Sequence, residues 1–175
     1  MMITTERLKI VPMSLDYLDE LHKLLSDREL TRFMVFNPKE TVDETKAQIQ
    51  ESISQFEKER PAFSDFALLA GDEFIGDLAL YFFENDPAVA EFSWVISPKH
   101  SKRGYGFEAA KGLMEYYREN KGITRFIAQC DSENIPSIRL IEKLGMKLID
   151  SSGTRFNRSE PNVQKTEYTY ELTFE

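Results

Sequence analysis

Cysteine is nearly missing from this chain, with Cys130 its sole instance. That excludes an internal disulfide framework and a thiolate metal cluster. The expected role of Cys130 is that of a small buried hydrophobe at a strand end. Histidine is scarce too: His22 and His100 lie too far apart to suggest a metal pair, and no metal is expected. No apolar run approaches the roughly 20 residues that a membrane-spanning helix needs. At the start, MMITTERLKIVPM carries Glu6 and Arg7 where a secretory leader needs an unbroken apolar segment. The expectation is a cytoplasmic protein with no membrane association. Positive charge is in the minority: 22 Lys and Arg against 30 Asp and Glu leave a formal net charge of −8. This balance argues against nucleic acid as a partner and mildly favours cationic substrates. Repeats, low-complexity tracts and linkers are also lacking, so the 175 residues read as a single domain, 1–175, able to bury a core.

What the chain does contain is a hydrophobic period that changes along its length. Residues 5–11 (TERLKIV) alternate as a strand does. Ser14 opens a helix to about Leu25, with Leu15, Leu18, Leu21 and Leu25 on one face. A second helix runs from a capping box at Thr41 and Glu44 to about Lys58. Residues 65–70, 74–83 and 89–96 then read as three strands, and the short turns between them imply an antiparallel meander. Helical spacing returns at Phe107, Ala110, Leu113, Met114 and Tyr117 and stops at Gly122. A strand at 123–130, a helix from Pro136 or Ser137 to Gly145, and closing strands at 146–151 and 167–174 complete the chain. The predicted fold class is α+β, a mixed and mostly antiparallel sheet flanked by helices. One helical crossover makes 89–96 and 123–130 a parallel pair.

Between that first parallel strand and its helix lies SKRGYGFEAAKG (101–112). A helix start presents unpaired amides and about half a positive charge, and so attracts anions. Gly104 and Gly106 let a ligand reach the main chain and permit unusual dihedrals. Lys102 and Arg103 add charge, with Lys99, His100 and Lys111 nearby in an otherwise acidic chain. The expected guest is an anion such as a pyrophosphate; the alternative reading is a tight turn. No Gly-Lys-Ser/Thr follows, so the segment is no P-loop, and the spacing of a dinucleotide fingerprint is missing.

VISPKHSKRGYGFEAA (95–110) resembles the acetyl-CoA loop of the GNAT superfamily of N-acetyltransferases, Gln/Arg-x-x-Gly-x-Gly/Ala. NIPSIRLIEKLGM (134–146) is similar to a second segment of that family, in the expected order. The element order fits nearly the whole chain, and TERLKIVPM with the Asn-x-x-Ser form points to the branch that includes ribosomal-protein N-terminal acetyltransferases. The resemblance implies the GNAT fold, with the pantetheine arm of acetyl-CoA along Trp94, Val95 and Ile96. It places the pyrophosphate on the amides of Ser101, Lys102, Arg103, Gly104, Tyr105, Gly106 and Phe107, with Asn134 and Ser137 facing the cofactor. Ser101 stands where the family usually has Gln or Arg, which weakens one contact but leaves the amide cradle.

The implied reaction is attack of an unprotonated amine on the acetyl thioester. A backbone amide near Val95 or Ile96 is expected to stabilise the oxyanion. The leaving thiolate needs a proton. Many family members use a Tyr seven residues after the Asn, where this chain has Ile141, which leaves Ser137 as catalytic acid. Ser137 also suits the N-cap of its own helix, and one hydroxyl can serve both roles. Glu91 is the candidate base, acting through water; a solvated strand glutamate is the alternative. Neutralising an α-amine at pH 7 costs roughly 1 kcal/mol, against roughly 4.6 kcal/mol for a lysine side chain. A site without a clear strong base therefore suits a low-pKa amine. The expected function is acetyl-CoA-dependent N-acetylation of a primary amine, a protein N-terminus among the candidates. Small amines (polyamines, amino acids or an antibiotic) form a second class, and a non-catalytic acyl-CoA-binding domain a third. The hairpin at 151–165 and the first two helices are expected to border the acceptor, with Arg155 and Arg158 read as solubilising charges. A second copy of the chain is a candidate partner through an exposed sheet edge.

Overall fold

In the computed structural model, which describes residues 1–175, the chain runs through β1 (Ile3–Thr4), β2 (Leu8–Pro12), α1 (Leu18–Ser26) and α2 (Val42–Phe56). It continues through β3 (Phe63–Ala70), β4 (Glu73–Phe83), β5 (Asp86–Ile96), α3 (Tyr105–Lys121), β6 (Arg125–Asp131), α4 (Ile135–Lys143), β7 (Lys147–Phe156) and β8 (Gln164–Thr173). The strands form one eight-stranded sheet in the order β1-β2-β3-β4-β5-β6-β8-β7. Only β5 and β6 are parallel. The mixed α+β sheet and its single parallel crossover are those expected. No helix is long and apolar enough to cross a membrane.

The period-2 alternation of each strand divides the interior into two cores. Ala90, Phe92, Trp94 and Ile96 of β5 pack under α3 and α4, with Leu113, Phe126 and Ile141. Val95 points the other way, to Leu21, Leu25, Ile49 and Ala67 beneath α1 and α2. The capping box of α2 is present, with Thr41 accepting from Glu44 N and the Glu44 side chain accepting from Thr41 N. Cys130 is buried in the larger core, and desolvation pushes its thiol up to about 11.

Several element ends differ from expectation by two or three residues, as at β5, which begins at Asp86 rather than 89, and three differences change more than an end. The strand read at 5–11 is broken: Thr5 N bonds Leu8 O at 2.9 Å in a turn separating β1 from β2. Ser14 caps a short 3-10 turn over Leu15–Tyr17 rather than α1 itself. The last hairpin is mostly strand, because β7 continues to Phe156 where 151 was expected. Regular pairing with β8 is interrupted twice along it and then resumes, which a sequence pattern does not reveal.

β3 and β4 carry Asp65 and Asp77 to the α1/α2 face, Asp65 opposite Ala79 and Asp77 opposite Ala67. Both are buried. Ser52 Oγ donates to Asp65 Oδ2 at 2.9 Å, while Asp65 Oδ1 and Asp77 Oδ1 have no partner. Desolvation pushes the Asp65 carboxyl up to about 6, and it raises Asp77 as well, with the neighbouring Asp65 charge adding to the effect. Folded carboxyls that hold protons more tightly than unfolded ones contribute stability below the ordinary carboxylate range and lose it as pH rises through about 6. Asp77→Asn is therefore expected to raise Tm at about pH 8 and to flatten the gain in Tm that the native chain shows between about pH 8 and pH 6. Thermal denaturation followed by circular dichroism checks this, and a slope unchanged by the substitution contradicts it.

Candidate active site

β5 and β6 pair from Val89–Arg125 to Phe92–Ala128 and no further, although β5 continues to Ile96 and β6 to Asp131. Each strand keeps its outer partner, β5 with β4 up to Ile96 and β6 with β8 up to Asp131. The sheet therefore forks. Ser97 N donates to Ile75 O at 2.8 Å. Antiparallel alternation then turns Val95 and Ser93 toward β4 and leaves the main-chain groups of Trp94 and Ile96 facing the gap. Unpaired amides in a fork suit an extended ligand that carries its own amides.

A cleft of about 570 Å³ opens at this fork. Trp94, Val95 and Ile96 line it from the strand, and Ser101, Lys102, Gly104, Tyr105, Gly106 and Phe107 from the loop. Asn134 and Ser137 line it from α4. Of the residues read as site candidates, Arg103 and Glu91 do not reach its wall. The loop enters the 17-residue helix α3 through two left-handed residues, Lys102 at φ 62° and Gly104 at φ 82°. Left-handed residues in such a turn bring successive N–H groups to one side and form an anion-binding concavity. Lys102 holds this conformation with a side chain, at a cost of roughly 1 kcal/mol. Gly106 lines the cleft and also lets α3 pack closely on α4: a Cβ there would lie 2.7 Å from Cδ1, the tip of the Leu140 side chain.

Sequence reasoning missed several cleft residues. Pro136, Arg139, Leu140 and Lys143 form one face of α4, and Arg139 and Lys143 add positive charge opposite Lys102. The i, i+3, i+4, i+7 spacing carried that information. His100 lines the cleft while buried; its Nε2 lies 3.3 Å from Glu73 Oε2, and its Nδ1 has no partner. Arg32, Phe33 and Met34, from the segment after α1, close the far side. No local pattern marks them.

Asn134, not Ser137, caps α4: its side-chain oxygen accepts from Ser137 N at 3.4 Å. Ser137 sits within the first turn, so its hydroxyl is not used as the cap. Glu91 faces the α1/α2 side, opposite Tyr81 on β4 and Ile127 on β6. It is half-buried, and desolvation raises its carboxyl; Glu167 adds to the rise and Arg155 opposes it. It lies four positions before Val95, or about 13 Å along the strand.

Arg155 is no solubilising charge. Its Nη1 pairs with Glu167 at 2.8 Å, its Nε donates to Asn157 Oδ1 at 2.9 Å, and its Nη2 donates to Phe33 O at 2.8 Å. Arg158 Nε donates to Val35 O at 3.0 Å and Ser159 Oγ to Arg32 O at 2.7 Å. The hairpin is thereby stitched to the segment after α1, which closes the far side of the cleft.

A forked parallel pair, an amide-rich turn at a helix start and a basic rim define the class: a transferase that draws its acyl group from a coenzyme A thioester. The chain belongs to the GNAT family, since the sequence model for the acetyltransferase (GNAT) domain matches residues 7–147. It is 29% identical over 150 residues to YnaD, an uncharacterised N-acetyltransferase of Bacillus subtilis, covering 84% of this chain and 83% of that one. Its fold is similar to that of RimL, a ribosomal L7/L12 alpha-N-protein acetyltransferase solved with coenzyme A (TM-score 0.88, 16% identity, 99% and 98% of the two chains). It is also similar to spermidine N-acetyltransferase from Vibrio cholerae, solved with coenzyme A and spermine (TM-score 0.81, 17% identity, 95% of each chain).

Gly104→Val forces a branched side chain into φ 82°, which removes the left-handed turn without touching the strand. Coenzyme A affinity is expected to fall at least about tenfold, or about 1.4 kcal/mol, in isothermal titration calorimetry. Affinity equal to that of the native chain contradicts the cradle.

Proposed function

We propose that this acetyltransferase moves the acetyl group of acetyl-CoA to a primary amine, with a protein N-terminal α-amine as the first class of acceptor. One observation carries the reading: the fork presents free main-chain groups at Trp94 and Ile96 beside an amide-lined turn ringed by Lys102, Arg139 and Lys143. These residues fit the donor. The strand groups suit its pantetheine amides, and the loop and α4 cations suit its diphosphate and terminal phosphate. Acetyl-CoA supplies the thioester carbon that the amine lone pair attacks as the C–S bond breaks.

The chain's own groups take the remaining roles. Ile96 N–H, free on the fork side, is the donor assigned to the acyl oxygen; a donor of this kind is worth about 2.7–4 kcal/mol. Ser137, its hydroxyl free of capping duty, gives the proton that the departing thiolate takes up. Glu91 receives the amine proton through water, and its burial makes it a stronger proton acceptor than an exposed carboxylate. The cleft wall itself carries two carboxylates, Asp27 and Glu29, and the imidazole of His100, side chains that as a class bind protons less tightly than a lysine amine. That supports an α-amine, which needs only roughly 1 kcal/mol to be neutral at pH 7, over lysine.

A second reading, a small cationic amine, is favoured by the carboxylates on the acceptor side. Asp27 and Glu29 line the cleft, and Glu91 faces the same side of the sheet as the buried Asp65 and Asp77. Thiol release from acetyl-CoA, measured across unstructured peptides with free N-termini, spermidine and N-acetyl-lysine amide, separates the two. Faster turnover of peptides supports the first reading, and faster turnover of spermidine supports the second. Coenzyme A binding without turnover of any amine contradicts both.

Ser137→Ala is expected to lower kcat by about a hundredfold while the Kd for coenzyme A stays within about twofold. Unchanged kcat removes the hydroxyl from the reaction. Glu91→Gln is expected to abolish an acidic limb of kcat/KM that lies above the ordinary carboxylate range, as the raised Glu91 carboxyl requires. A limb that persists in this variant belongs to another group.

A further inference from the structure

The TERL segment near the chain's start lies outside the cleft, yet it is bonded to the helix that opens onto it. Thr5 Oγ1 donates to Glu108 Oε1 at 2.6 Å, and Arg7 N donates to the same oxygen at 2.7 Å. Arg7 Nε donates to Glu108 Oε2 at 2.7 Å, with Nη2 2.6 Å from that oxygen. The remaining arm of the guanidinium, Nη1, donates to Arg103 O at 3.0 Å. Arg7 Cζ stands 4.8 Å from the Tyr105 ring centroid, and a Cβ on Gly104 would come within 3.5 Å of Nη2. One side chain therefore holds Arg103 and Tyr105, on either side of Gly104, and through Glu108 the first turn of α3.

We propose that Arg7 is a positioning residue for diphosphate binding: its guanidinium pins the carbonyl of Arg103 between the left-handed Lys102 and Gly104, and it neutralises Glu108. The inference rests on the reading that loop 101–106 receives the diphosphate of coenzyme A. Two arguments carry it. Lys102 is held at φ 62°, a conformation that a side-chain-bearing residue leaves when nothing restrains it. The bond from Nη1 to the next carbonyl is a restraint at that place. Glu108 is the acidic residue in the first turn of α3, where it would repel an incoming diphosphate if left unpaired. Burial works to raise its carboxyl, but the bonds from Thr5 and Arg7 outweigh burial and hold it below the ordinary range, so it is ionised and needs its partner.

A half-exposed ion pair adds little to global stability, and the Arg7 side chain is 45% exposed. The positioning role and a merely structural one therefore predict different readouts. Coenzyme A affinity is measured by calorimetry, alongside steady-state kinetics with acetyl-CoA and with acetyl-pantetheine, which has the thioester but no diphosphate. Arg7→Met is expected to weaken coenzyme A about tenfold. It should raise KM for acetyl-CoA by a similar factor at nearly constant kcat, with acetyl-pantetheine kinetics unchanged. Arg7→Lys keeps the charge but loses the three-way fork, and should lose about threefold in affinity. Adding Glu108→Gln to Arg7→Met should recover part of the loss, because the unpaired carboxylate is gone.

Coenzyme A affinity within twofold of the native chain in Arg7→Met, where Gly104→Val binds weakly, leaves the cradle standing and overturns the role of Arg7. A parallel loss with acetyl-pantetheine also overturns it, since the defect then lies in the fold rather than at the diphosphate. Native affinity in both Arg7→Met and Gly104→Val overturns the loop reading and the inference with it. If Arg7→Met does not fold, Arg7→Lys carries the same comparison: a loss of threefold or more confined to coenzyme A supports the role, and no loss overturns it.

Discussion

Parallel pairing that stops at Phe92 and Ala128 is the constraint on which the site depends. Past that point each strand is held only by its outer neighbour, so the gap is built from rigid edges rather than from a loop. The polypeptide then does the same thing on both prongs. β5 runs out of its open end into the turn that starts α3, and β6 runs out of its own into the Asn134 cap of α4. Two helix starts consequently face one opening. This is why SKRGYGF and NIPS, about thirty residues apart in sequence, line a single cleft.

The fork also separates charge. Even-numbered residues of β5 look toward α3 and α4, where Lys102, Arg139 and Lys143 gather; odd-numbered residues look toward α1 and α2, where Asp65, Asp77 and Glu91 lie. A net charge of −8 therefore does not conflict with an anionic ligand, because Lys102, Arg139 and Lys143 supply positive charge at the cleft itself. The Arg155 stitch belongs to the acidic side. It ties the last hairpin to the segment after α1, and so joins the β6–β8–β7 half of the sheet to the β1–β5 half where the ladder itself no longer does.

Features encoded by neighbouring residues were readable in the sequence. The Thr41–Glu44 capping box, the helical crossover that makes β5 and β6 parallel, and the glycine-opened helix start each rest on spacing within a few turns. Features made by distant residues were not. Arg7 and Glu108 are 101 positions apart, and Arg155 and Phe33 are 122 apart, so neither pairing is legible until the sheet brings the partners alongside. Gly106 shows a subtler limit. The spacing offers it as a place where a ligand reaches the main chain, and only the packing shows that a Cβ there would also meet the tip of Leu140. Lys102 shows the converse, a residue whose type argues against the left-handed conformation it adopts.

Under the proposed reading, the acidic acceptor side meets an apparent contradiction. Carboxylates concentrate cations, yet the amine that attacks must be neutral. A carboxylate in open water is a poor proton acceptor from an ammonium, since its affinity for a proton lies several pH units below that of the amine. Half-burial of Glu91 narrows this gap from the carboxylate side, and an α-amine narrows it from the other, whereas a lysine side chain leaves it wide. Arg155 works against the first of these, because it opposes the rise that desolvation and Glu167 produce. The same guanidinium that closes the acceptor side thus limits how strong a base the fold can offer there. A site so arranged favours an acceptor that arrives nearly neutral, and it draws such an amine in by the positive charge that the acceptor carries elsewhere.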